Sequence, residues 1–196
     1  MLERLLVWYY TQIATWALVF NRRTTAVEHY RRVIALRPDD ALTHARLAFV
    51  LHELGRRQDA LAGFERAVEL DPANSDHWFN LGFLRQENAA HEEAIAAFRR
   101  SLELNPKQDR AWFGLAMSLI RLGRLDQAIE PLRENIKLQP LSPFGHMELA
   151  RVYARLGDRE RAARAIRQLS EFDPRNAARL EDETGIRVGV ERWWQR

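Results

Sequence analysis

The sequence predicts an all-α fold, a row of antiparallel helix hairpins, and three observations predict it. Pro38, Pro72, Pro106, Pro140 and Pro174 stand 34 residues apart, a fixed period that marks a repeat architecture. Ala26, Ala60, Ala94, Ala128 and Ala162 recur in the same register without variation. No alternating run of β-branched residues is bounded by turn residues, so strands are not expected.

Each unit is numbered so that its proline falls at position 32. Position 7 is then Ile13, Leu47, Leu81, Leu115 and Leu149, and position 8 is small throughout, as Ala14, Ala48, Gly82, Ala116 and Ala150. Position 24 is large and apolar, as Tyr30, Phe64, Phe98, Leu132 and Ile166. Small residues at 8 and 20 let two helix backbones approach closely, and the large residue at 24 fills the space beside them. Position 15 carries Asn21, Gly55, Gly123 and Gly157, types that take the left-handed conformation ending a helix, with Ala89 the one departure. Proline at 32 follows the second helix, which it could not continue.

The stretch from Ser75 holds Trp78, Leu81, Gly82, Ala94, Phe98 and Pro106 in this spacing. It resembles the tetratricopeptide repeat, and the likeness covers residues 7–176. The resemblance implies a right-handed α-α superhelix, a tetratricopeptide solenoid of units 7–40, 41–74, 75–108, 109–142 and 143–176. Residues 177–196 then supply a capping helix and a tail.

The first helix, Leu5 to Phe20, is the least typical element. A terminal repeat needs a polar outer face, yet Leu6, Trp8, Tyr9, Trp16, Val19 and Phe20 leave little polar surface on it beyond Thr11, Gln12 and Thr15. Three readings compete. A membrane-spanning helix needs about 20 apolar residues, and this run is shorter and holds Thr and Gln. A cleaved signal peptide needs a basic start and a small-residue cleavage site, which Met-Leu-Glu-Arg and the following residues lack. The third reading is a repeat helix whose outer face, with Trp8, Tyr9, Trp16 and Phe20, is covered by a protein or rests on a membrane interface.

The middle units follow without insertion or deletion. His44 and His146 replace the aromatic at position 4, and Pro131 is expected to bend the second helix of its unit or mark a shifted start. Pro143 suits a first helical turn. At the end, Ala177 and Leu180 are expected to face inward with Glu181, Asp182 and Glu183 outward, and Gly185 to stop the helix. Trp193 and Trp194 are expected to pack on the last helices or on a partner.

Composition limits the function. Thirty Lys and Arg against 27 Asp and Glu give a net charge of +3, which is weak support for nucleic acid as a partner. Zero cysteines exclude a disulfide framework and thiolate ligands. There is no phosphate-cradling glycine loop or nucleophile elbow, and the six histidines make no metal-ligand spacing with a carboxylate. Catalysis, a metal and a cofactor are therefore not expected.

The resemblance implies that positions 2, 5, 9, 12 and 13 face a concave groove. On this chain they place Ala45, Phe49, Phe79, Phe83, Phe113 and Met117 in an apolar ladder, with Asn80, Arg110, Arg121, Arg151 and Arg155 beside it and a basic far end. Such a groove suits an amphipathic helix or extended apolar peptide, with acidic residues at one end. The carboxylate clamp of some chaperone adaptors is incomplete here, because Ala45, Phe49 and Gly114 stand where polar or cationic groups are needed. The expected function is a non-catalytic scaffold in the cytoplasm. The alternatives are an assembly factor associated with the inner face of a membrane through residues 5–20, and a homo-oligomer building block.

Overall fold

Helix boundaries repeat with the period of the sequence. The computed structural model describes residues 1–192. Among them the chain forms eleven α-helices and no strand, in two compact units that divide between Leu104 and Asn105.

The first unit holds α1 (Leu2–Val19), α2 (Arg23–Leu36), α3 (Ala41–Glu53), α4 (Arg57–Leu70), α5 (Ser75–Glu87) and α6 (His91–Leu104). Successive pairs form hairpins whose close approach rests on the small residues. Ala14, Ala48, Ala26, Ala60 and Ala94 are fully buried. A Cβ on Gly82 would stand 2.9 Å from the Phe98 ring, so the smallest residue sits where the largest one fills the gap. Each first helix ends in a left-handed residue, at Asn21 (φ 58°), Gly55 (φ 74°) and Ala89 (φ 59°). The residue after it donates five residues back, as Arg56 N–H does to the Leu51 carbonyl at 2.8 Å. Ala89 therefore adopts the same conformation as the glycines despite its side chain. The first helix starts before the repeat does, at Leu2, and buries Ala14 and Ala17. Among the described residues no helix is long and apolar enough to cross a membrane, so the spanning reading of residues 5–20 is not supported.

The second unit holds α7 (Asp109–Arg121), α8 (Leu125–Leu138), α9 (Pro143–Arg155), α10 (Arg159–Ser170) and α11 (Pro174–Thr184). Pro131 lies buried inside α8, yet α8 begins at Leu125, in step with the other second helices, so the proline marks no shifted start. What is lost is the helical bond to the carbonyl of Gln127, because proline carries no N–H. Buried polar residues tie the hairpins together. Asn135 Nδ2 donates to the Asp109 carbonyl at 3.0 Å, as Ser101 Oγ does to the Ser75 carbonyl at 2.9 Å in the first unit. Gly145 makes room for the Asn135 amide, since a Cβ there would lie 2.5 Å from its Oδ1.

Helix α11 caps the second unit. It begins at Pro174 and stops at Gly185 (φ 69°), with Ala177 and Leu180 fully buried. Glu181 departs from expectation: it is 2% exposed, facing the core and not solvent. Its Oε1 accepts three consecutive backbone N–H groups, from Val188 at 2.6 Å, Gly189 at 2.8 Å and Val190 at 3.3 Å. The tail after Gly185 folds around this carboxylate, with Gly189 at a positive φ of 86°. Trp193 and Trp194 lie outside the described residues.

Candidate functional site

Position 4 shows how the sequence sets local geometry. Trp78 Nε1–H donates to the Pro72 carbonyl and Trp112 Nε1–H to the Pro106 carbonyl. The imidazole Nε2 of His44 and His146 reaches the Pro38 and Pro140 carbonyls at 3.0 and 3.1 Å, so the histidines replace the indole donor and hold the same turn. These rings orient α3, α5, α7 and α9, and with them positions 5 and 9.

In the first unit those two positions differ. Position 5 belongs to the packing: Ala45 is 8% exposed and Phe79 6%, with the Phe79 ring 6.1 Å from that of fully buried Phe98. Phe79 is thus a core residue, a correction to its expected place on an open surface. The reason is that α5 and α6 meet on a broader face than positions 4, 7, 8 and 11. Position 9 remains open. Phe49 is 52% exposed, and half-buried Phe83 stacks on Phe79 at 6.5 Å. The His52 ring meets Phe83 edge-on at 5.9 Å while its Nε2 lies 2.6 Å from Glu87 Oε2. Glu53 pairs with Arg23 at 3.0 Å. Position 9 thus presents Phe49 on α3, one turn before Glu53, and Phe83 on α5, one turn before Glu87, with half-buried Asn80 also on α5.

In the second unit Phe113 and Met117 are half-buried, and Phe113 packs against the core. Arg110, Arg121 and Arg155 are exposed. Arg151 is not an open cation. Its Nε and Nη2 donate to Glu183 at 2.7 and 2.9 Å, and its Nη1 lies 2.5 Å from Glu148. The bond to Glu183 chiefly holds the guanidinium pKa above its ordinary value and that of Glu183 below. Arg151, Arg155, Ile120, Glu148 and Glu183 line an open cleft of about 280 Å³. The pairing of Arg151 with Glu183 had no signal in the repeat register, because Glu183 lies on the cap.

On α1 the apolar residues singled out in the sequence are on the surface: Trp8 is 62% exposed, Tyr9 50%, Trp16 59% and Phe20 67%. Among the described residues no three His, Asp or Glu side chains come together to hold a metal ion.

Tetratricopeptide repeat models match residues 41–74, 64–96, 81–143 and 143–168, a continuous run over well more than half of the chain. The chain belongs to the tetratricopeptide repeat family. No curated protein sequence matches this tetratricopeptide chain. Solved structures do. A MamA protein is similar over 92% of this chain and 94% of its own, at 20% identity and a TM-score of 0.80. YrrB, described as a TPR protein with an unusual peptide-binding site, is similar over 88% and 90%, at 21% identity and a TM-score of 0.78. PilF of Pseudomonas aeruginosa is similar over 94% and 87%, at 19% identity and a TM-score of 0.75. At these identities the likeness establishes a shared tetratricopeptide fold.

Proposed function

We propose that this tetratricopeptide chain is a non-catalytic scaffold that binds a protein partner through position 9 of its first helices. The observation that carries this is that position 9 stays open in two successive first helices, with Phe49 52% exposed and Phe83 half-buried. Exposed aromatic rings, each with a carboxylate one turn further on, suit the apolar face of a helix or peptide that also carries Lys or Arg. In the first unit the contacts would be Phe49, Phe83 and Asn80. In the second unit they would be Phe113, Met117, Arg110, Arg121 and Arg155, with Arg151 acting only once Glu183 is displaced. The peptide-binding site named for YrrB supports the class of partner. Affinity capture from the native host, read by mass spectrometry, tests the proposal. Phe49→Ser and Phe83→Ser should lose the captured protein while helical circular dichroism and thermal unfolding stay near those of the parent. Unchanged capture by both variants would count against it.

A further inference from the structure

The repeat register identifies an uncovered packing face on α1. Helix α3 packs on α2, α5 on α4 and α9 on α8. In all three of these first helices positions 3 and 10 are buried: Thr43 and Val50 at 2% and 0% exposure, His77 and Leu84 at 4% and 1%, and Gly145 with Val152. Gly145 shows why, since a Cβ on it would meet Asn135 and Ile136 of α8. On α1 the same positions are Tyr9 and Trp16, both half exposed or more.

These two belong to a stripe. Leu2, Leu5, Tyr9, Gln12, Trp16 and Phe20 follow one another at steps of three or four residues, which sets them on one side of the helix. Trp8 and Val19 flank the stripe, also exposed, and Trp16 stacks on Phe20 at 6.2 Å. No charged residue lies within it. At 150–250 Å² for each fully covered aromatic ring, the open fractions of Trp8, Tyr9, Trp16 and Phe20 amount to roughly 360–600 Å², and the exposed parts of Leu2, Leu5 and Val19 add to that, toward the about 800 Å² that one partner contributes to a standard interface.

We propose that α1 is the interface of a homodimer, pairing across a two-fold axis with α1 of a second copy. An uncharged stripe laid against itself brings no like charges together, and Gln12 at its middle can exchange amide hydrogen bonds with its own copy. Among the described residues α11 exposes Arg175, Arg179, Asp182 and Glu183, a charged face unlike the stripe on α1. Tyr9 and Trp16 are larger than the residues that lie beneath a stacked hairpin at positions 3 and 10. Their rings suit interleaving between two helices facing each other. The stripe on α1 shares no residue with position 9 of α3 or α5.

Light scattering of the full chain over a wide concentration range tests it. The expected mass is twice the 23.0 kDa of one chain. Trp16→Asp should raise the dimer dissociation constant at least about 30-fold with circular dichroism unchanged. Gln12→Cys supplies the single thiol of a chain without cysteine, so any disulfide formed on oxidation joins two copies, and a linked dimer is expected. A mass of 23.0 kDa at every concentration would overturn the proposal. So would a monomer that floats with phosphatidylglycerol vesicles, or a dimer lost in Phe49→Ser and intact in Trp16→Asp.

Discussion

The indole N–H of Trp78 donates to the Pro72 carbonyl at 2.9 Å, and His44 reaches the Pro38 carbonyl in the same way at 3.0 Å. A carbonyl only accepts, so Nε2 of His44 carries the proton. His44→Trp should keep the bond and the stability of the parent. His44→Phe should lose the bond at about 0.5–1.5 kcal/mol, read as a lower midpoint in urea.

Ala89 holds a left-handed backbone (φ 59°) at a turn where Gly55 and Gly123 take φ 74°. A left-handed residue with a Cβ costs about 1–2 kcal/mol. Ala89→Gly should therefore stabilise the chain by about 1 kcal/mol and raise its melting temperature by about 2–4 °C. Gly55→Ala should shift it the other way, since the space around Gly55 is open and backbone strain alone decides.

Phe79 and Phe49 should separate core from surface. Phe79→Ser removes a buried ring packed on Phe98 and should cost about 3–5 kcal/mol in denaturant unfolding. Phe49→Ser should change stability by no more than about 0.5 kcal/mol.

His77 is buried, and burial lowers its pKa below the ordinary 6.5 against the opposing pull of Asp71 and Asp76. The folded state favours the neutral ring, so this contribution is complete above pH 6.5 and is lost as the pH falls below that value toward the lower folded pKa. Thermal unfolding between pH 7 and 5 should show a smaller loss of stability in His77→Gln than in the parent.

Glu181 holds the tail. Burial would raise its pKa, but the N–H groups of Val188, Gly189 and Val190 together with Arg192 outweigh burial and lower it. Beside it, hydrogen bonds from Arg192 and Arg187 hold the Asp182 carboxyl down to about 2. Stability from these carboxylates is present above the ordinary carboxylate range and is lost as acid titrates them in the fold, for Asp182 between about 4 and 2. Glu181→Gln should cost about 2–3 kcal/mol, and amide exchange at Val188 to Val190 should quicken while that of α7 is unchanged.

Local chemistry was legible in the sequence wherever the repeat register controlled it. The helix boundaries, the left-handed stop at position 15 and the buried small residues at 8 and 20 all followed from one 34-residue period. The register could not apportion positions 5 and 9. Both are apolar in the Ser75 unit, and it is tertiary packing, the Phe98 ring included, that buries Phe79 while Phe83 stays half open.

The sequence by itself determined the hairpins, because steric and capping rules act over a few residues and repeat with them. The tertiary structure alone decided that Glu181 turns inward and that Arg151 is taken by Glu183. Each of these depends on which element lies across from a side chain, and the register assigns no partner to the cap or the tail.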